Sequence, residues 1–201
     1  MKRRTVILLV LVVAAGFLFI MAASILHNGL SARATPTFLE RMLARRVLIL
    51  AIPASAKKLK NPVPATEENL GEARLHFADH CAFCHGNDGS GDTMMGRGLY
   101  PKPPDLRLPE TQKLSDGELF WVIENGVRFT GMPAFETPGM QDESWKLVRF
   151  IRQLPQLTPE ERMEMENYNP KGPEERQEEQ QEDDFLNGAT PPPKPESHHE
   201  H

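Results

Sequence analysis

Residues 86–109 run for twenty-four positions without a helical or alternating apolar pattern, and five glycines and four prolines interrupt them. A loop longer than about 12–15 residues inside a compact domain usually has something to wrap around. On either side the chain offers only short helices. Thr66 caps one that runs to about His80, with Leu70, Ala73, Phe77 and Cys81 on or near one face. Ser115-Asp116-Gly117-Glu118 forms a capping box that opens Leu119-Phe120-Trp121-Val122-Ile123, and Asn125-Gly126 stops it. Asp142 or Ser144 opens a third helix through Trp145, Phe150 and Ile151, which must end near Leu154 before Pro155. Nothing alternates as a strand would, so the expected fold is all-α. Residues 66–157 are the one candidate folded domain, and three short helices leave it without a full hydrophobic centre.

The two cysteines of the chain stand together in Cys81-Ala82-Phe83-Cys84-His85. Two cysteines cannot form a disulfide framework. C-x-x-C-H is, however, the covalent attachment sequence of haem c. Thiols one helical turn apart can add to the two vinyl groups along one porphyrin edge, and the adjacent imidazole then reaches the iron. Two other readings compete. A zinc site needs four ligands, which His76 and His80 at i, i+4 would complete; a thioredoxin-like dithiol needs surrounding strands, which are missing. The expectation is therefore one covalent haem c, held by Cys81 and Cys84, with His85 as an axial ligand.

A thioether as second axial ligand would favour ferrous iron and raise the reduction potential. It must come from the far face of the ring, which argues against Met94 and Met95, nine and ten residues after His85. Met132 lies forty-seven residues on, in Gly131-Met132-Pro133, where the proline stiffens the turn; Met140 in Pro138-Gly139-Met140 is its rival. Met132 is the expected axial ligand. Leu99, Leu106, Leu114, Val122, Ile123, Val127 and Phe135 are expected to pack on the haem. Trp121 and Arg128 either meet a propionate or are an ordinary core aromatic and surface charge.

Residues 66–157 resemble a class I c-type cytochrome. The likeness rests on Gly71 and Phe77 ahead of the motif, on Cys81-Ala82-Phe83-Cys84-His85-Gly86, on Pro103-Pro104-Asp105-Leu106, on Gly131-Met132-Pro133-Ala134-Phe135 and on the aromatic last helix. The resemblance implies that the first and last helices cross, with Gly71 allowing close approach to the Trp145/Phe150 helix. It also implies His/Met ligation, an electron-transfer role, and a carbonyl near Pro103-Pro104 that receives the other N–H of His85.

The flanks lie outside this resemblance. Residues 5–26 carry no charge; as a helix they would extend about 33 Å, enough for a hydrocarbon core of about 30 Å. Residues 1–27 therefore read as a transmembrane anchor, and Lys2, Arg3 and Arg4 place its start in the cytoplasm. The competing reading is a cleaved signal peptide, with Ala32-Arg33-Ala34 as the site. Residues 28–65 hold a basic amphipathic helix over 37–51, ended by Pro53, and a stiff linker at 61–65. The helix suits an anionic membrane surface or a partner's transmembrane segments. Residues 158–201 read as an acidic, Pro-rich disordered tail, in which Glu160-Glu161-Arg162-Met163 extends briefly as a helix. Its His198, His199 and His201 form a cluster with no further ligand to support it.

The charge is zoned accordingly. Residues 1–60 carry ten Lys and Arg against one acid, 61–157 nine against fourteen, and 158–201 four against thirteen. The only basic zone holds the membrane-length apolar run, which argues against a nucleic-acid reader. The expectation is a membrane-anchored, mono-haem electron carrier rather than an enzyme. It would sit in a bacterial cytoplasmic membrane with its body on the periplasmic side, serving redox protein partners. A haem subunit of a larger oxidoreductase complex, and a haem enzyme or gas sensor with a vacant axial position, are the alternatives.

Overall fold

The computed structural model describes residues 3–28, 31–172 and 181; most of the acidic tail, with its three histidines, lies outside them. Among the described residues there are helices and no strands, as the lack of alternation predicts. Helix α1 (Arg3–Asn28) is apolar on all sides and long enough to cross a membrane. Helix α2 (Phe38–Ala51) starts at Thr37, whose hydroxyl accepts from the Glu40 N–H while the Glu40 carboxylate accepts from the Thr37 N–H. That closed capping box fixes the start. A single turn, α3 (Ala54–Lys57), follows Pro53.

The domain proper begins with α4 (Glu67–His76), capped by Thr66. The helix does not stop near His80. It passes through a π turn at Phe77–Cys81 into α5 (Ala82–His85). Two single turns, α6 (Met94–Arg97) and α7 (Pro109–Gln112), punctuate the long loop. Helix α8 (Asp116–Asn125) has the expected Ser115/Glu118 capping box. Helix α9 (Gln141–Gln153) buries Trp145, Leu147, Val148, Phe150 and Ile151, and a 3₁₀ turn at Leu154–Gln156 leads to α10 (Pro159–Glu166).

The core sits where α4 crosses α9. Phe77 and Phe150 are both fully buried, with ring centroids 5.1 Å apart and planes tilted by 57°, a favourable aromatic geometry. Ala73, Ala78 and Val148 fill the space around them, and Phe120 stacks on Trp145 at 3.9 Å. Gly71 takes no part in the close approach: a Cβ there would meet nothing within 4 Å. The small buried residues at the crossing are Ala73 and Ala78, two and seven positions further on.

The folded body passes both expected boundaries of the 66–157 domain. Upstream, Ile52 and Ala56 are buried, and the supposed linker is pinned along α9: the Arg149 Nε donates to the Val63 carbonyl at 2.8 Å, and the Asn61 amide to the Trp145 carbonyl at 2.9 Å. Downstream, Thr158-Pro159-Glu160-Glu161 builds a third capping box, and Met165 on that helix is 0% exposed within the core. Arg74 of α4 holds α10 from outside through Glu161 at 3.0 Å and Glu164 at 3.5 Å. A charged segment with one well-placed methionine thus folds against the domain, so the tail does not begin at 158.

Two substitutions check this packing by denaturant unfolding. Met165→Ala should destabilise the body by about 2–4 kcal/mol, the usual cost of emptying a buried methionine site. Gly71→Ala should stabilise it by about 0.5–1 kcal/mol, since a mid-helix glycine costs entropy and the added methyl has open space.

Candidate functional site

The π turn ends at the first cysteine of the motif. The Ala82 N–H bonds the Phe77 carbonyl, five residues back. This wider turn is frequent at functional positions, and it re-aims the last turn that carries Cys84 and His85. Both cysteines are free and partly buried. Burial, with Cys84 close by, pushes the Cys81 thiol up to about 12, and burial also raises Cys84. Burial lowers His85 to about 4, which leaves its imidazole neutral at physiological pH. Its ring lies 6.5 Å from that of Phe77, and its Nδ1 is buried with no hydrogen-bond partner. The expected bond to the Pro103-Pro104 stretch is therefore not made.

The loop after the motif is tied back onto it. The Gly91 N–H donates to the His85 carbonyl at 2.7 Å. The Thr93 hydroxyl donates to the carbonyls of Phe83 and Cys84 at 2.9 and 3.3 Å while accepting from the Gly96 N–H at 2.8 Å. Gly96 is packed so closely that a Cβ would lie 2.4 Å from the Gly91 oxygen and 2.7 Å from that of Cys84. Further along, Arg107 grips Asp105 through two nitrogens and Asp88 through a third, all at 2.8–2.9 Å. The Leu106 N–H reaches the Gly89 carbonyl at 2.8 Å. The Arg107 guanidinium holds the Asp105 carboxyl below its usual range.

A second loop, between α8 and α9, carries Met132. Gly126 ends α8 with φ +63°, and a Cβ there would lie 2.5 Å from the Pro133 backbone, so the loop folds directly over the helix end. The N–H groups of Phe135 and Glu136 bond the carbonyls of Ile123 and Glu124 at 3.1 Å, and the Val127 N–H bonds the Met132 carbonyl. The buried Glu124 carboxylate accepts from the Ser144 hydroxyl at 2.5 Å, which links α8 to α9 behind the loop. Met132 and Phe135 are partly buried against the core. Met140, Met94 and Met95 are exposed, Met140 by 52%.

The other expected residues divide. Leu106 and Ile123 are buried and Leu114 packs on the core; Leu99, Val122 and Val127 are half-exposed. Gly131 leans on Leu99, whose side chain a Cβ would meet at 2.7 Å. Trp121 is half-buried and Arg128 exposed. His76 and His80 meet edge to face at 4.8 Å and face Glu143 and Asp79. They do not converge with the cysteines, and no group of three or more metal-ligating side chains occurs among the described residues. Thr93, Arg107 and Glu124 were not foreseen. Only Thr93 had a local signal, a threonine three residues ahead of Gly96 at the start of a turn.

The donor set fits haem c. A neutral imidazole with a buried, unpartnered nitrogen, two thiols one turn apart and a partly exposed apolar surface are what that group requires. Residues 68–151 match the family model described as "Cytochrome C oxidase, cbb3-type, subunit III", and no curated protein matches the chain. Gly96→Ala should push its methyl into the carbonyls that shape the motif, an overpacking cost of about 1–3 kcal/mol. The expected result is a lower melting temperature and less covalent haem per protein, read by pyridine haemochrome.

Proposed function

With residues 68–151 a c-type cytochrome domain, we propose that the chain is a membrane-anchored, mono-haem c-type cytochrome that passes single electrons between redox partners. In this reading Cys81 and Cys84 would hold one haem c covalently, and His85 and Met132 would ligate its iron. Bound there, haem supplies an iron that stores and releases one electron. The protein's own part is to keep the geometry constant. Thr93 and Gly91 hold the carbonyls of the attachment turn, and burial keeps the His85 imidazole neutral and able to coordinate. The anchored Gly126–Phe135 loop presents a thioether with little freedom to move. The placement of Met132 carries the proposal: of the four methionines weighed, it alone packs against the core.

Helix α1 is the anchor. Its length and apolar surface suit a single span, and the charges at its start favour a cytoplasmic N-terminus with the body in the periplasm of a bacterium. Helix α2, basic and apolar at once, lies at the membrane interface. A second reading follows from the matched family, whose description is that of an oxidase subunit: the chain would then be the haem c subunit of a membrane oxidoreductase. A stable complex recovered from detergent-solubilised membrane would favour it over a lone carrier.

Carrier and enzyme separate at the sixth position, because catalysis or gas sensing needs a coordination site a small molecule can occupy. The reduced protein should be low-spin and bind carbon monoxide poorly at neutral pH, and the oxidised protein should show a far-red sulfur-to-iron band. Met132→Ala should abolish the band, admit carbon monoxide and lower the reduction potential, with the haem still covalently attached; Met140→Ala should change none of these. Rapid carbon monoxide binding by the unmutated protein would overturn the carrier reading.

A further inference from the structure

Helix α2 is oriented against the usual rule for a surface helix. Two of its polar groups turn toward the domain: Glu40 accepts from the Tyr100 hydroxyl, and the Arg45 guanidinium donates to the Glu110 carbonyl. Leu48 and Ile49 are half-buried on that side. Leu39 lies nine residues from Leu48, two and a half helical turns, and therefore on the opposite side. There Leu39, Leu43 and Leu50 are 66, 60 and 81% exposed, with Arg46 among them. Leu39, Leu43 and Leu50 turned outward, with Glu40 and Arg45 turned inward, suit a helix with an apolar medium beyond it.

The helix is also clamped. The Lys57 ammonium bonds the Ile49 carbonyl at 2.5 Å and lies 3.9 Å from Glu118, while Ser115 Oγ donates to the Lys57 carbonyl at 3.2 Å. Ile52 and Ala56 are buried, and the Ala56 carbonyl sits so close to Gly117 that a Cβ there would come within 1.9 Å. Contacts at both ends thus fix α2 to one edge of the domain, formed by Tyr100, α7 and the start of α8.

We infer that α2 is a strut: it seats Leu39, Leu43 and Leu50 in an anionic lipid surface and holds the Tyr100–α7–α8 edge of the cytochrome domain against that surface in one orientation. This rests on the membrane-anchored reading above. The occupant is lipid for two reasons. Nine residues separate α1 from α2, a reach of at most about 30 Å, so α2 cannot leave the neighbourhood of the membrane. In addition, residues 29–60 carry seven Lys and Arg against one acid, which draws them to anionic headgroups.

The test uses the full-length holoprotein in vesicles of phosphatidylcholine and phosphatidylglycerol, with haem blocking the native thiols. Single nitroxide labels are placed through Leu43→Cys, Lys113→Cys beside α7, and Asp142→Cys at the far end of α9. The Leu43 label should collide with oxygen more than with a water-soluble nickel chelate, and the Asp142 label should show the reverse order. Gadolinium chelated on lipid headgroups should relax the Lys113 label faster than the Asp142 label. A Leu43 label open to the aqueous chelate, on protein that still floats with the vesicles, would overturn the strut and leave the anchor standing. A Leu43 label shielded from both reagents would mean a protein partner and also overturn it. So would equal relaxation of Lys113 and Asp142, which would mean an inserted helix with a freely turning domain. Protein that fails to float would overturn the anchored reading itself.

Discussion

The structure depends first on the contact between Phe77 and Phe150. Phe77 stands four residues before Cys81 in the same continuous helix, so whatever fixes its ring also fixes the direction in which the attachment motif leaves the core. The crossing of α4 and α9 is closed by Ala73, Ala78 and Val148, all without solvent exposure, and such close-packed contacts tolerate little sliding. The π turn begins at Phe77 itself. The anchor in the core and the local change of helical pitch therefore fall on the same residue, and together they set where the two thiols and the imidazole emerge.

From that fixed turn outward the domain is held by polar side chains rather than by further helix. Its long loops contain many backbone carbonyls with no regular partner, and a buried carbonyl without a partner is costly. Long side chains from the helices serve them. Arg152 reaches the carbonyls of Gln112 and Leu114 while pairing with Asp116. Arg149 serves Asn61 and Val63, Gln112 serves Leu106 and Ile151, and Thr93 serves the motif. The buried Nδ1 of His85 is left without a partner, in keeping with a site shaped for a group the chain does not itself provide.

The local signals in the sequence carried far. The start of α2 at Thr37, the capping box at Ser115, the stop at Gly126 and the all-α class all follow from neighbouring residues or from turn chemistry. What escaped was non-local. The π turn arises from how α4 must bend between its core contact and the motif, and no residue pattern in 77–81 announces it. The reach of Arg149 to Val63 spans eighty-six positions, so a segment with two prolines reads as a linker until its partner is known. The brief helix at 160–163 was legible but its packing was not: the acidic character of α10 suggested a solvated tail, while one methionine, Met165, is buried in the core. Gly71 shows the opposite error, a glycine credited with a close approach that two nearby alanines make.

The zoning of charge acquires a physical sense from this arrangement. A carrier tethered by a single span would sample many orientations, and its encounter with a partner would still carry the orientational cost that slows docking. A helix fixed to the body and seated in lipid removes part of that search before any partner arrives. On the proposed membrane the basic residues of 29–60 would hold the chain at the surface, while residues 61–157 have an excess of acids and would be repelled by the same anionic headgroups. Opposed forces on two connected parts would give a torque rather than a simple attraction, drawing the domain down at the α2 edge and lifting it elsewhere. In the proposed reading, the faces lifted from the membrane are those open to redox partners. Salt would weaken both forces together, softening the orientation before it released the anchor.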